Sequence, residues 1–107
     1  AQADPLSLGA MLACLPQQSL WGAGGIGGAQ TPSAAMGLAA GGGVRTGLED
    51  NLFADSARST LATNLGLLKR AHDLAAQLER RVMSPAEFRG FMKMQSGNGA
   101  YGRAERL

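Results

Sequence analysis

Large apolar side chains are scarce in this chain, and that scarcity limits what it can fold into. Alanine supplies 19 of the apolar positions, whereas Val and Ile together supply only three, Val44, Val82 and Ile26. Sixteen glycines each lose more backbone entropy on folding than other residues and give no side-chain area in return. A length of 107 residues with 45% hydrophobic content suffices for one small domain. The kind of apolar residue, however, points to a thin core and marginal stability in isolation.

Charge is distributed unevenly. Residues 1–50 carry one Arg against three acids, and residues 51–107 carry nine Lys or Arg against five acids. This basic excess is spread over helical segments with acids among it and few aromatics nearby, which is a solvated face and not the clustered stripe of a nucleic-acid binder. Cys14 is the only cysteine, so no intrachain disulfide forms, and a reducing, cytoplasmic setting fits. No run of about 18 apolar residues is present to span a bilayer, and the first residues lack the basic start and apolar stretch of a secretory signal. No nucleic acid and no membrane is therefore expected as partner.

Periodicity divides the chain into alternating elements. Leu6, Leu8, Met11, Leu12 and Leu15 recur at helical steps behind an Asp4 N-cap and Pro5, with Pro16 as terminator. Ser19 to Ala29 reads as a strand running into a glycine loop. Thr31-Pro32 reads as N-cap and first residue of a short helix stopped by Gly41-Gly42-Gly43. Val44, Thr46 and Leu48 then alternate with polar residues, so Gly43 to Leu52 predicts a strand that gives way to a loop beyond Gly47, with Arg45 on the opposite face. The strongest periodic signal is Leu61, Leu65, Leu68, Ala71 or His72, Ala75, Leu78 and Val82, a long amphipathic helix over 59–82 with Lys69, Arg70, Asp73, Gln77 and Arg80 on its polar face. Ser84-Pro85-Ala86-Glu87 is a capping box opening a last short helix through Phe88, Phe91 and Met92, and 96–107 is expected as a flexible tail. Helix, strand, helix, strand, helix, helix is the order of an α/β protein with parallel strands, although two strands cannot make such a sheet alone.

Three groups of residues are candidates for chemistry. Gly22-Ala23-Gly24-Gly25-Ile26-Gly27 fits the G-x-G-x-x-G pattern of dinucleotide turns, but its strand is short and no acid lies about 20 positions on to hold a ribose. Glycines lining the mouth of a pocket are the better reading. His72 has no second histidine and no partner at helical spacing, which leaves it structural or on the surface. Arg45, Glu49 and Asp50 place three strong charges within six residues at the end of a small, apolar strand. In a parallel barrel that end gathers catalytic groups, and two adjacent carboxylates can divide metal binding and pairing with Arg between them. A turn of exposed charges is the alternative.

The segment Gly41-Gly42-Gly43-Val44-Arg45-Thr46-Gly47-Leu48-Glu49-Asp50-Asn51-Leu52 is similar to the G-G-x-V-R-V-G-L-E-D-N-L signature of the β-keto acid cleavage enzyme family, the 3-keto-5-aminohexanoate cleavage type. Gly24-Gly25-Ile26-Gly27-Gly28-Ala29-Gln30 resembles the Ala-Gly-Ile-Gly-x-Ala-Gln-like segment that precedes it there, and the likeness spans roughly residues 5–94. The resemblance implies a (β/α)8 TIM barrel, a form of about 250 residues, of which 1–95 would be the C-terminal part: the last two βα units and a C-terminal helix. It further implies a divalent metal, usually zinc, held by two histidines of an early strand and by Glu49. It implies that Arg45 and Asp50 form a coupled pair that removes a proton and anchors substrate, with acetyl-CoA as co-substrate. The reaction would join a β-keto acid to acetyl-CoA and split it into acetoacetate and a new CoA thioester. The histidine pair is not in this chain, so the resemblance also implies a remaining barrel part as partner, an inactive isolated chain and a homo-oligomeric enzyme. A non-catalytic helical interaction domain built on the two C-terminal helices is the alternative, and a nucleotide-binding module on the glycine loop is a third.

Overall fold

The structure, a computed structural model, describes residues 2–95. The expected tail at 96–107 lies outside the described residues. Helix α1 (Pro5–Ala13) begins as its sequence predicts: the Asp4 carboxylate accepts from the Ser7 amide at 2.9 Å and from its hydroxyl at 2.8 Å, and Pro5 occupies the first turn. These bonds hold the Asp4 carboxyl below its ordinary range. No residue of α1 is buried, and Leu6 is 83% exposed.

Strand β1 (Gly22–Ala23) leads into a 3-10 turn (Gly27–Ala29) and helix α2 (Gln30–Ala39), which returns the chain to strand β2 (Gly43–Val44). The two strands are parallel, with Gly22 opposite Gly43 and Ala23 opposite Val44. Both strands are shorter than predicted: regular pairing ends after Val44, although the Arg45 amide still reaches the Ala23 carbonyl at 2.9 Å. Helix α2 also starts earlier than expected. Its N-cap is Ala29, with no side-chain cap, because the preceding 3-10 turn already points the chain into the helix. Thr31 and Pro32 therefore lie inside the first turn, where proline's missing N–H costs nothing.

Helix α2 is the centre of the packing, touching β1, β2 and α3 (Asn64–Gln77). Its approach to the strands depends on glycine, since a Cβ on Gly37 would come within 2.6 Å of the Ala23 Cβ, and one on Gly42 within 2.4 Å of the Trp21 ring. The buried apolar set is small, Ala34, Leu38, Leu67 and Ala75, as the composition predicts.

Helix α3 is shorter than the predicted 59–82, and of the predicted stripe Ala75 turns inward, together with Leu67, which lay outside it. Thr63 caps it, accepting from the Gly66 amide at 3.0 Å. The chain before it forms a turn in which Asp55 accepts from Ser59, and an antiparallel bridge between Phe53 and Leu61. At its end Glu79 adopts φ +54, with its amide on Ala76 and that of Arg80 on Ala75, a Schellman closure made without glycine. Leu67 and Ala75 are buried, whereas Leu65 and Leu68 of the predicted stripe are 76% and 50% exposed. The helix thus carries two apolar faces, and only one meets α2. Two residues assigned to the polar face also turn inward. The Arg70 guanidinium donates to the Thr31 hydroxyl at 3.1 Å and the Ala54 carbonyl at 2.7 Å. That of Arg80 donates to the carbonyls of Leu38, Gly41 and Gly42, closing the C-terminal end of α2.

Helix α4 (Pro85–Phe91) opens with the expected reciprocal capping box between Ser84 and Glu87. Glu87 also makes a two-pronged pair with Arg81 at 2.7 and 2.8 Å, and these bonds bring its carboxyl down to about 2. The predicted face Phe88, Phe91 and Met92 is exposed. No helix among the described residues is long and apolar enough to cross a membrane.

Candidate active site

Because β1 and β2 are parallel, the segments that follow them emerge at one end of the pair. The first is the glycine turn Ile26–Gly28 and the second is the charged loop from Arg45 to Asn51. The glycine turn serves chain packing: a Cβ on Gly25 would meet the Ala29 carbonyl at 2.4 Å, and Gly27 has φ +58, a conformation that disfavours side chains. Together the two segments, the start of α2 and residues 52–58 line a cleft of about 560 Å³ that includes Ile26, Gly27, Glu49, Asp50, Arg58 and Arg70. Of the glycines singled out in the sequence, Gly27 lines this cleft.

The three charged residues singled out in the sequence come together. Arg45 Nη2 donates to Glu49 Oε2 at 2.8 Å, and Arg45 Nε lies 3.1 Å from Asp50 Oδ2. The side chain of Asp50 is 21% exposed, that of Arg45 64% and that of Glu49 82%. Arg45 therefore bridges a sheltered carboxylate and an open one. Its side chain runs past Gly24, where an added Cβ would meet the Arg45 Cβ at 3.5 Å.

The loop that carries the acids is tied down from three directions. The Gly27 amide donates to the Asp50 carbonyl at 2.6 Å. Gln30 at the start of α2 donates from Nε2 to the Gly47 carbonyl at 2.9 Å and accepts from the Thr46 hydroxyl at 3.0 Å. Asn64 at the start of α3 accepts from the Leu48 amide at 2.9 Å. Asn51, buried, closes the loop by pairing with both the amide and the carbonyl of Phe53. Sequence reasoning missed Gln30 and Asn64 as anchors of this loop, because the groups they hold lie 16 or 17 positions away along the chain.

His72 lies exposed on α3, in keeping with a surface role, and Cys14 is exposed and free. Among the described residues no group of three or more His, Cys, Asp or Glu side chains is gathered to hold a metal ion. Glu49 can offer one carboxylate, and a three-ligand catalytic zinc site needs two further donors.

The chain is thus a partial α/β unit with an Arg and two carboxylates at the C-terminal end of its parallel strands, and the family model described as beta-keto acid cleavage enzyme matches residues 1–94. The chain belongs to the β-keto acid cleavage enzyme family. It is similar to the 3-keto-5-aminohexanoate cleavage enzyme of Fusobacterium nucleatum, 35% identical over 82 residues, which are 76% of this chain and 29% of that relative. The chain thus spans less than a third of the length of the curated relative it matches.

Proposed function

We propose that this chain is the C-terminal portion of a metal-dependent β-keto acid cleavage enzyme, folded as the last two βα units of a (β/α)8 barrel. The barrel reading is supported by the parallel β1-α2-β2 unit, by the charged loop at its C-terminal end and by outer strand edges that pair with no other strand among the described residues. It also gives a use to the second apolar face of α3 and to exposed Leu6, Ile26 and Leu61, which the rest of a barrel and its neighbours would cover.

The observation that carries the chemistry is the pairing of Arg45 Nε with the sheltered Asp50 carboxylate. Asp50 takes the proton from the reacting substrate, with Arg45 orienting its carboxylate. The exposed guanidinium edge of Arg45 offers parallel donors to the carboxylate of a β-keto acid. An arginine acting as the base itself would require loss of a proton that proteins do not take from it, so the acid-base work falls to Asp50. Glu49 would be the carboxylate donor to a divalent ion, Zn2+, with two histidines supplied from outside this chain. Such an ion polarises the substrate's keto oxygen when bound. The overall reaction joins a β-keto acid and acetyl-CoA and splits the adduct into acetoacetate and a new CoA thioester. One carboxylate does not make a metal site, so the isolated chain is proposed to be inactive.

The test is co-expression with an N-terminal barrel portion carrying the histidine pair, scored for acetyl-CoA-dependent acetoacetate formation. Asp50→Asn is expected to lower kcat by about 10²-fold or more, the ordinary contribution of a general acid or base. Glu49→Gln is expected to release the metal. Full activity in Asp50→Asn would overturn the assignment. The interaction-domain alternative has exposed Phe88, Phe91 and Met92 in its favour. It leaves the Arg45–Asp50 pair without a use, and it predicts that both variants are silent.

A further inference from the structure

The largest side chain of the described residues to be fully buried is Gln30, at 1% exposure. A primary amide taken out of water must have its donors and acceptors met, so its place in so thin a core needs a reason. Both ends of the side chain are committed to the two residues that follow Arg45. Oε1 accepts from the Thr46 hydroxyl at 3.0 Å, and Nε2 donates to the Gly47 carbonyl at 2.9 Å. That carbonyl also accepts from the Asp50 amide at 3.3 Å, closing the turn that carries both acids. Three residues before Gln30, the Gly27 amide holds the Asp50 carbonyl at 2.6 Å.

We infer that Gln30 is a positioning residue for the Arg45–Asp50 pair: it sets the register of the Thr46–Gly47 backbone, and through the shared Gly47 carbonyl it fixes where Asp50 meets Arg45. The inference rests on the reading of that pair as the reactive one. Gln30 touches neither the Arg45 nor the Asp50 side chain, so it acts through the backbone. The pairing is directional. An apolar residue of the same shape would leave the Gly47 carbonyl with the long Asp50 bond and the Thr46 hydroxyl without its partner, and the turn would lose its one fixed reference to α2.

The test is 15N nuclear magnetic resonance on the 107-residue chain, following the Arg45 Nε–H signal and the exchange rate of the Gly27 amide. Gln30→Met is expected to move the Arg45 signal toward that of an unpaired arginine and to speed Gly27 exchange about tenfold or more, as local opening becomes easier. Ala75→Gly, a buried change in α3 away from the loop, is expected to lower the melting temperature while leaving both signals in place. An unmoved Arg45 signal in Gln30→Met, or an equal shift in Ala75→Gly, would overturn the inference. Should Gln30→Met fail to fold, Thr46→Val decides: it removes one of the two bonds at nearly constant volume. A shift of the Arg45 signal in the same direction supports the role, and no shift overturns it. None of these readouts needs turnover, so a chain that shows the coupling but never cleaves a β-keto acid refutes the proposed function and not the coupling.

Discussion

Gly42→Ala is the most direct probe of the packing that sets β2 against its neighbours. An added Cβ would lie 2.4 to 2.6 Å from three atoms of the Trp21 ring, about 1 Å inside ordinary contact. Gly42 does not have the left-handed φ of Gly41, so the penalty is steric rather than conformational. The ring must swing away or the turn must shift, and overpacking of this kind costs about 1–3 kcal/mol. At the middle of that range, a domain of this size loses roughly 8–16 °C of melting temperature. Trp21 is the only tryptophan in the chain, so its fluorescence reports the displacement without interference. The assay is thermal unfolding followed by circular dichroism, with the folded-state emission spectrum recorded alongside. Gly41→Ala is the control: nothing lies within 4 Å of its added Cβ, but its φ of +91 disfavours a side chain. It should destabilise by about 1–2 kcal/mol while leaving the emission unchanged. A Gly42→Ala protein with unchanged melting and unchanged Trp21 emission would refute the steric argument.

Arg80→Met should cost about 2–3 kcal/mol, because it strips a charged donor from three carbonyls at the end of α2, and denaturant unfolding measures it; Arg80→Lys, a single point donor, should recover only part. The folded-state pKa of Glu87 is depressed to about 2 by Arg81 and Ser84, so its contribution to α4 is present above the unfolded carboxylate value and is lost as pH falls from about 4.5 toward 2. Protection of the Phe88 amide from exchange, taken relative to the intrinsic rate at each pH, should fall across that window in the wild type and show no such step in Glu87→Gln. Asp55, brought down to about 2 by its bonds to Ser59, predicts the same sign for the turn before α3, read at the Ser59 amide and removed by Asp55→Asn.

The local elements whose signals are short-range were legible in the sequence. Asp4-Pro5 and Ser84-Pro85-Ala86-Glu87 cap helices where they were predicted to, because a cap needs only residues three apart. The glycine stop after α2, the parallel α/β order and the Arg45, Glu49, Asp50 cluster were also in the residues themselves. The family could be identified from one twelve-residue segment, since that pattern is specific. What the sequence left open depends on partners distant along the chain. The periodicity marked a helix and included the buried Ala75, but could not say that Leu67 is covered while Leu65 and Leu68 are left exposed, because an alternative apolar face is just as periodic. Arg70 and Arg80 read as solvated charges, and only the carbonyls brought to them from residues 38–54 turn them inward. Gln30 stood in the sequence only as the last residue of the family-like glycine segment. Its burial follows from the parallel return of β2, which sets the Thr46 hydroxyl and the Gly47 carbonyl against its amide.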